Sequence, residues 1–157
     1  MVKQILFRGR DKDSHDWIYW NEFGQICYSD GTRRGECVVS EYAYRIDQDS
    51  ISQFTGCYDK YGSKLFELDI VQTQPIYDRP YSKYQKGKNF YGVVEWEERN
   101  VGGQTYSTGW TVRTEELGRY GHYSWGIFFE CEKVGDIYSL PDIASKLQQG
   151  SSGGTDS

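Results

Sequence analysis

The chain has 157 residues and a net charge of −5, with 14 Tyr, 5 Trp, 7 Phe and 18 Gly but alanine only at Ala43 and Ala144. That composition favours strands and turns and excludes a helical bundle or coiled coil. No apolar run approaches the ~18 residues needed to span a membrane, and the acidic balance argues against a general nucleic-acid or anionic-membrane binder.

Taken in chain order, Lys3–Arg8 alternates, with Ile5 and Phe7 on one face, and predicts a first strand. Asp11-Lys12-Asp13-Ser14 is turn chemistry, and Trp17–Trp20 returns as the second strand of a hairpin. Asp30-Gly31 marks another turn, and Cys37–Tyr44 reads as a strand through Val38, Val39, Tyr42 and Tyr44. The clearest unit is Ile51–Gly56, a type I turn at Asp59-Lys60-Tyr61-Gly62, then Lys64–Val71 as the returning strand. Pro75 and Pro80 bracket a loop that runs on to Asn89, because proline offers no N–H to a ladder. Tyr91–Trp96 and Gln104–Val112 predict a hairpin about Gly102-Gly103, and a bend at Gly118–Gly121 leads into a strand from Trp125 to Val134.

Ser139-Leu140-Pro141-Asp142 starts a helix, with Ser as cap, Pro in the first turn and Asp at the positive end. Leu140, Ile143, Ala144 and Leu147 share one face, and Gly150 is the expected stop. The fold expectation is therefore mostly β: short antiparallel strands forming one or two small barrels, closed by a short C-terminal helix. Its organisation is a β domain over 1–149, with an N-terminal hairpin region 1–50 and a core barrel region 51–149, followed by a flexible polar tail, 150–157.

Charge is unevenly spread. Residues 79–94 hold four basic groups and no acid, between two stretches each with four acids in excess, 41–78 and 95–136. Cys27, Cys37, Cys57 and Cys131 form no C-x-x-C pair, and with only His15 and His122 there is no zinc spacing. No secretory signal is visible, so reduced thiols are expected.

Four blocks together resemble one family. Gln53-Phe54-Thr55-Gly56 with Asp59-Lys60, Gly62, Lys64 and Asp69-Ile70-Val71 resembles the signature of the YopX-like family of phage and prophage proteins. Ile5-Leu6-Phe7-Arg8-Gly9, Tyr91–Trp96, and Val134-Gly135-Asp136-Ile137-Tyr138 with Pro141 agree in order and spacing, so the resemblance spans roughly residues 5–147. Leu68 departs from it: the family usually has glycine there, and a positive φ would strain leucine. Cys57 stands where the family tends to have a larger aliphatic. The resemblance implies SH3-like barrel elements, a phage or prophage origin and a bacterial cytoplasm. It brings no catalytic residue, cofactor or metal.

Three sets of residues are candidates for function. Arg79, Lys83, Tyr84, Lys86, Lys88 and Tyr91 interleave cations with rings, as a single-stranded nucleic-acid contact does. Tyr42, Tyr44, Tyr77, Tyr81, Tyr120 and Tyr123, with Glu97 and Glu98, suit a protein interface of rigid aromatic contacts and acidic edges. The Gln53–Val71 motif reads mainly as geometry: Gly56 and Gly62 for tight backbone, Asp59 for the turn, and Phe54, Phe66 and Ile70 for the core, while Asp69 stands out as an acid between buried positions. A protein partner is the first expectation, nucleic acid the second, and self-association through exposed strand edges a further one. No membrane partner and no enzymatic activity are expected.

Overall fold

The computed structural model describes residues 4–73, 90–114 and 131–152. The chain divides into two compact units, Met1–Gly56 and Cys57–Ser157.

The first unit is built on β1 (Leu6–Asp11), β2 (Trp17–Asn21), β3 (Gln25–Cys27), β4 (Arg33–Val38) and the long β5 (Ile46–Tyr58), whose last two residues belong to the second unit. β1 and β2 form the expected hairpin, with Leu6 opposite Asn21 and Arg10 opposite Trp17. The inward face of β1 is Leu6 and Arg8, however, and Ile5 is 37% exposed. Phe7, on the other face, stacks on Trp20 with ring centroids 6.2 Å apart. β1 also pairs with β5, but the register slips between Arg8 and Arg10, where β5 bulges. Ser50 fills the gap. Its hydroxyl accepts the Arg10 N–H at 2.7 Å and donates to the Asp47 carbonyl at 2.6 Å, so the Arg10 donor keeps a partner where the ladder is interrupted.

Cys37–Tyr44 is not one strand. β4 ends at Val38, and two 3₁₀ turns, Val39–Glu41 and Ala43–Arg45, follow. The Val39 N–H goes to the Gly24 carbonyl, while Tyr42 and Arg45 N–H groups bond back to Val39 and Tyr42. Strand propensity is overridden because these backbone donors already have partners outside any ladder.

The second unit holds β6 (Lys64–Phe66), β7 (Asp69–Thr73), β8 (Phe90–Val101), β9 (Gln104–Thr114), β10 (Glu132–Asp136) and helix α1 (Pro141–Ser152). Strand orders are β4-β3-β2-β1-β5-β6 and β10-β7-β8-β9, all described pairings being antiparallel. Both sheets are open among the described residues, which departs from the closed small barrels expected. The β8–β9 hairpin about Gly102-Gly103 is as expected, with Val94 opposite Val112 and Trp96 opposite Trp110. Leu65, Val71, Val94, Val112 and Cys131 form the core of this unit, with Cys57 and Trp110 packed against it. Phe54, Phe66 and Ile70 are also buried.

The segment Lys64–Val71 breaks at Glu67-Leu68 into β6 and β7. Leu68 has φ +75° and is pinned there, its N–H donating to the Val94 carbonyl and its carbonyl accepting from Ile137. Before the helix, the Ser139 hydroxyl accepts from the Asp136 N–H and donates to the Asp136 carbonyl, so it closes the turn and Leu140 takes the capping position. The helix runs past Gly150 to Ser152, and of its expected inner face Leu147 is fully buried while Leu140, Ile143 and Ala144 are half-buried. The bend at Gly118–Gly121, the strand from Trp125, the 75–89 loop and residues 153–157 lie outside the described residues.

Candidate functional site

Most of the cationic candidate set, Arg79, Lys83, Tyr84, Lys86 and Lys88, lies outside the described residues; Tyr91 sits in β8 opposite Gln72, partly exposed. Tyr77, Tyr81, Tyr120 and Tyr123 also lie outside. The β8 backbone sets Glu97 and Glu98 opposite Gly109 and Thr108. Elsewhere in the acidic stretch 95–136, Glu95 is bound to Arg113 at 3.0 Å, and Asp136 accepts the N–H groups of Tyr138 and Ser139.

Within the second unit, the motif residues Asp59, Gly62 and Asp69 make structural bonds. Asp59 closes its turn, as Gly62 N–H bonds the Asp59 carbonyl at 3.0 Å with Gly62 at φ +85°. Its side chain does more than the turn requires. Oδ1 accepts the N–H groups of Tyr61 and Ser63, and Oδ2 accepts that of Lys133 at the start of β10. Asp69 is fully buried; it accepts the Phe66 N–H at 2.7 Å and pairs with the Lys133 ammonium at 3.2 Å. Both acids are therefore satisfied by backbone and lysine partners, as buried carboxylates must be. Gly56, at φ +83°, takes the conformation that glycine tolerates.

What the sequence does not single out is a cleft in the first unit, of about 610 Å³, within the range of roughly 300–1,000 Å³ typical of ligand sites. Trp17 and Tyr19 of β2, Tyr28 beyond β3, Arg34 and Cys37 of β4, Tyr42 between the two 3₁₀ turns and Arg45 at the end of the second all line it. Only Tyr42 belongs to the candidate set; Tyr44, two residues on, is 74% exposed. Trp17 and Tyr19 share a strand face by the period of two. Arg34 and Cys37 arrive through a bulge, since Cys27 faces Arg33 but Gln25 faces Val38, and Gly35 within it has φ +66°. Bulges of this kind re-aim side chains.

The wall is braced from behind and beside. The buried Arg8 guanidinium lies 3.9 Å from the centroid of the Trp17 ring, and its Nε donates to the Ser52 hydroxyl at 3.2 Å. Asp11 is buried; Oδ1 accepts from the N–H groups of Asp13 and Ser14, and Oδ2 pairs with Arg45 at 2.7 Å. Those backbone bonds first, and Arg45 second, hold the Asp11 carboxyl below its ordinary pKa against the opposing effect of burial. A hydrogen bond to the Cys37 side chain pushes the Tyr42 phenol up, so it stays protonated at neutral pH. Burial pushes the Cys27 thiol up as well. The arrangement is suited to holding a ligand by rings and guanidinium groups. No group of three or more His, Cys, Asp or Glu placed to hold a metal occurs among the described residues. None of the four cysteines is in a disulfide.

The only hint of this cleft in the sequence is the density of aromatics in 17–44, which carries no information about which rings converge. No curated protein matches the chain. The model of the YopX protein family matches it over residues 6–143, a span that takes in β1, the cleft and the Asp59–Asp69 network, and the chain belongs to that family.

Proposed function

We propose that the chain is a non-catalytic binding module of phage or prophage origin that engages a protein partner in the bacterial cytoplasm through the cleft of its first unit. The observation that carries this reading is the convergence of Trp17, Tyr19, Tyr28 and Tyr42 with Arg34 and Arg45 around one cleft. Tyr, Trp and Arg are the residues enriched where proteins bind proteins, since they give large rigid contact area with a polar tip. A buried arginine behind Trp17 and a buried aspartate beside Arg45 hold the surface ready, which lowers the ordering cost of binding. Chemistry by the buried thiols is disfavoured, because Cys27 and Cys131 are held protonated and the thiolate is the reactive form. On this reading the two sheets are opened SH3-like elements presenting a loop-lined binding surface.

The test is affinity capture from infected-host lysate with the wild-type chain and with Arg34→Ala/Tyr42→Ala. A stoichiometric protein recovered by the wild type and lost by the double variant is the expected result. Recovery of no such protein, or equal recovery by both, would sink the reading. Single-stranded nucleic acid bound through residues 79–91 is the second reading, supported by four cations without an intervening acid. Salt-sensitive oligonucleotide binding lost on Lys83→Ala/Lys86→Ala/Lys88→Ala would favour it.

A further inference from the structure

We infer that the segment seated in the first-unit cleft is an acidic peptide: a Glu or Asp carboxylate held by Arg34 and Arg45, with a neighbouring apolar side chain against Trp17 and Tyr19. This deepens the protein-binding reading and rests on it. Asp11, Asp16, Arg34 and Arg45 are the charged groups lining the cleft. Asp11 is buried and already committed, one oxygen to two backbone N–H groups and the other to Arg45. The same contact fixes Arg45 through Nη2, while 39% of its side chain remains exposed. A guanidinium carries five N–H donors, so Arg45 is presented as a fixed donor set with capacity to spare. Arg34 lies over the Tyr28 ring, 5.6 Å from its centroid, and is exposed. A guanidinium held over a ring keeps its in-plane donors available for a planar, two-oxygen acceptor. Of the charged groups at the rim, two guanidinium groups therefore stand against Asp16 as the carboxylate outside the Asp11–Arg45 pair. A ligand carboxylate answers them with charge-assisted, two-pronged hydrogen bonds.

Charge also selects the class of anion. Residues 1–56 carry nine acidic and seven basic groups, so the unit repels a polyanion at long range while two arginines still reward a single carboxylate at contact. A short acidic peptide fits that pattern, and a phosphate backbone does not.

The experiment selects a displayed random dodecapeptide library on the immobilised full chain, then measures fluorescein-labelled winners by anisotropy. Enriched peptides should carry Asp or Glu within two residues of an aromatic or large aliphatic. Changing that acid to its amide should weaken binding at least ten-fold, and Arg34→Gln should do the same. Because Arg45 braces Asp11, Arg45→Gln is read only beside its thermal melt; Arg34→Gln, on an exposed side chain, keeps the test independent of folding. Peptides that lose binding on Tyr42→Ala but ignore both the acid-to-amide change and Arg34→Gln would overturn this inference and leave the cleft reading standing. No enrichment, or winners indifferent to both Tyr42→Ala and Arg34→Gln, would overturn the two together. Oligothymidylate binding that Arg34→Gln abolishes would show that the cleft takes phosphate instead.

Discussion

The Asp59 carboxylate accepts the backbone N–H of Lys133, 74 residues further along the chain, at 2.9 Å. One side chain thereby joins the turn between β5 and β6 to β10. The adjacent Lys60 N–H donates to the Cys131 carbonyl at 2.9 Å, so turn and strand are held at two successive points.

Asp59→Ala is expected to destabilise the fold by about 3 kcal/mol, because three backbone donors lose a charged acceptor and hydrogen bonds to charged groups contribute roughly 1.5–3 kcal/mol each before compensation by water. Asp59→Asn should retain the bonds to Tyr61 and Ser63 but oppose an amide N–H₂ to Lys133 N–H, giving an intermediate loss. Urea titration decides: equal midpoints for the wild type and Asp59→Asn would show that the link to β10 contributes nothing.

Leu68 occupies a left-handed position, φ +75°, that costs a non-glycine residue about 1 kcal/mol or more. With Glu67 before it, the segment from Phe66 to Asp69 has the positive φ at the third turn position that a type II turn requires. Leu68→Gly should raise stability by a few tenths to about 1 kcal/mol, the loss of half-buried leucine contacts offsetting part of the strain relief. Leu68→Val should lower it, since a branched Cβ suits that conformation still less. A glycine variant that melts below the wild type would show that leucine packing outweighs strain.

These two positions also mark how far the sequence can be read. Asp59 and Gly62 are legible as a turn because the requirement is local: an acid at the first place and a flexible residue at the fourth. The role of Asp59 toward β10 is not legible, since the partner is brought by folding from 74 residues away. Cys37–Tyr44 misleads because β-prone side chains carry the strand signal, whereas the outcome turns on where the Val39 N–H goes. The cleft is less legible still. Arg34 reaches it through a slip in the β3–β4 register, and Arg45 through a pairing with Asp11, neither of which has any trace in spacing.

Asp11 sets a pH dependence whose sign follows from its lowered pKa. The folded carboxyl holds its proton more weakly than the unfolded one, so the unfolded state binds protons first and stability falls as pH falls below the ordinary value of 3.8. Glu67 acts in the opposite sense: burial, then Glu95, pushes its carboxyl above 4.5, so its ionised form costs stability as pH rises through that range. Subtracting the curve of Asp11→Asn from that of the wild type isolates the Asp11 contribution, which should be present above about pH 4 and vanish on acidification. Arg45→Gln should move the Asp11 titration only part of the way back, because the Asp13 and Ser14 N–H groups contribute more. A difference curve flat from pH 2 to 6 would contradict this account.

Cys131 is fully buried, and desolvation, reinforced by the Asp59 charge, pushes its thiol up to about 12. At neutral pH almost no thiolate forms, so alkylation by iodoacetamide should require unfolding. Labelling at Cys131 should accelerate steeply across the urea transition, while Cys37, half-buried at the cleft, should label first in native buffer. Peptide mass mapping separates the sites, and labelling of Cys131 at a rate independent of urea would contradict its burial.

Gly9 sits in β1, and its need is one of space. A Cβ there would lie 2.5 Å from Ile46 Cγ2 and 3.1 Å from the Trp20 ring. Neither neighbour yields easily: Ile46 is a buried, branched side chain at the start of β5, and Trp20 is stacked on Phe7. Gly9 also lies where the β1–β5 register slips, so moving the backbone would disturb the Arg10–Ser50 bond that bridges the slip. Gly9→Ala should therefore cost about 1–3 kcal/mol, the usual penalty of forcing a methyl into a filled core. Pairing it with Ile46→Val, which leaves Cγ2 in place, should rescue little, whereas Ile46→Ala should recover much of the clash at the expense of its own cavity. Additive losses in that second double variant would show that the two side chains do not meet.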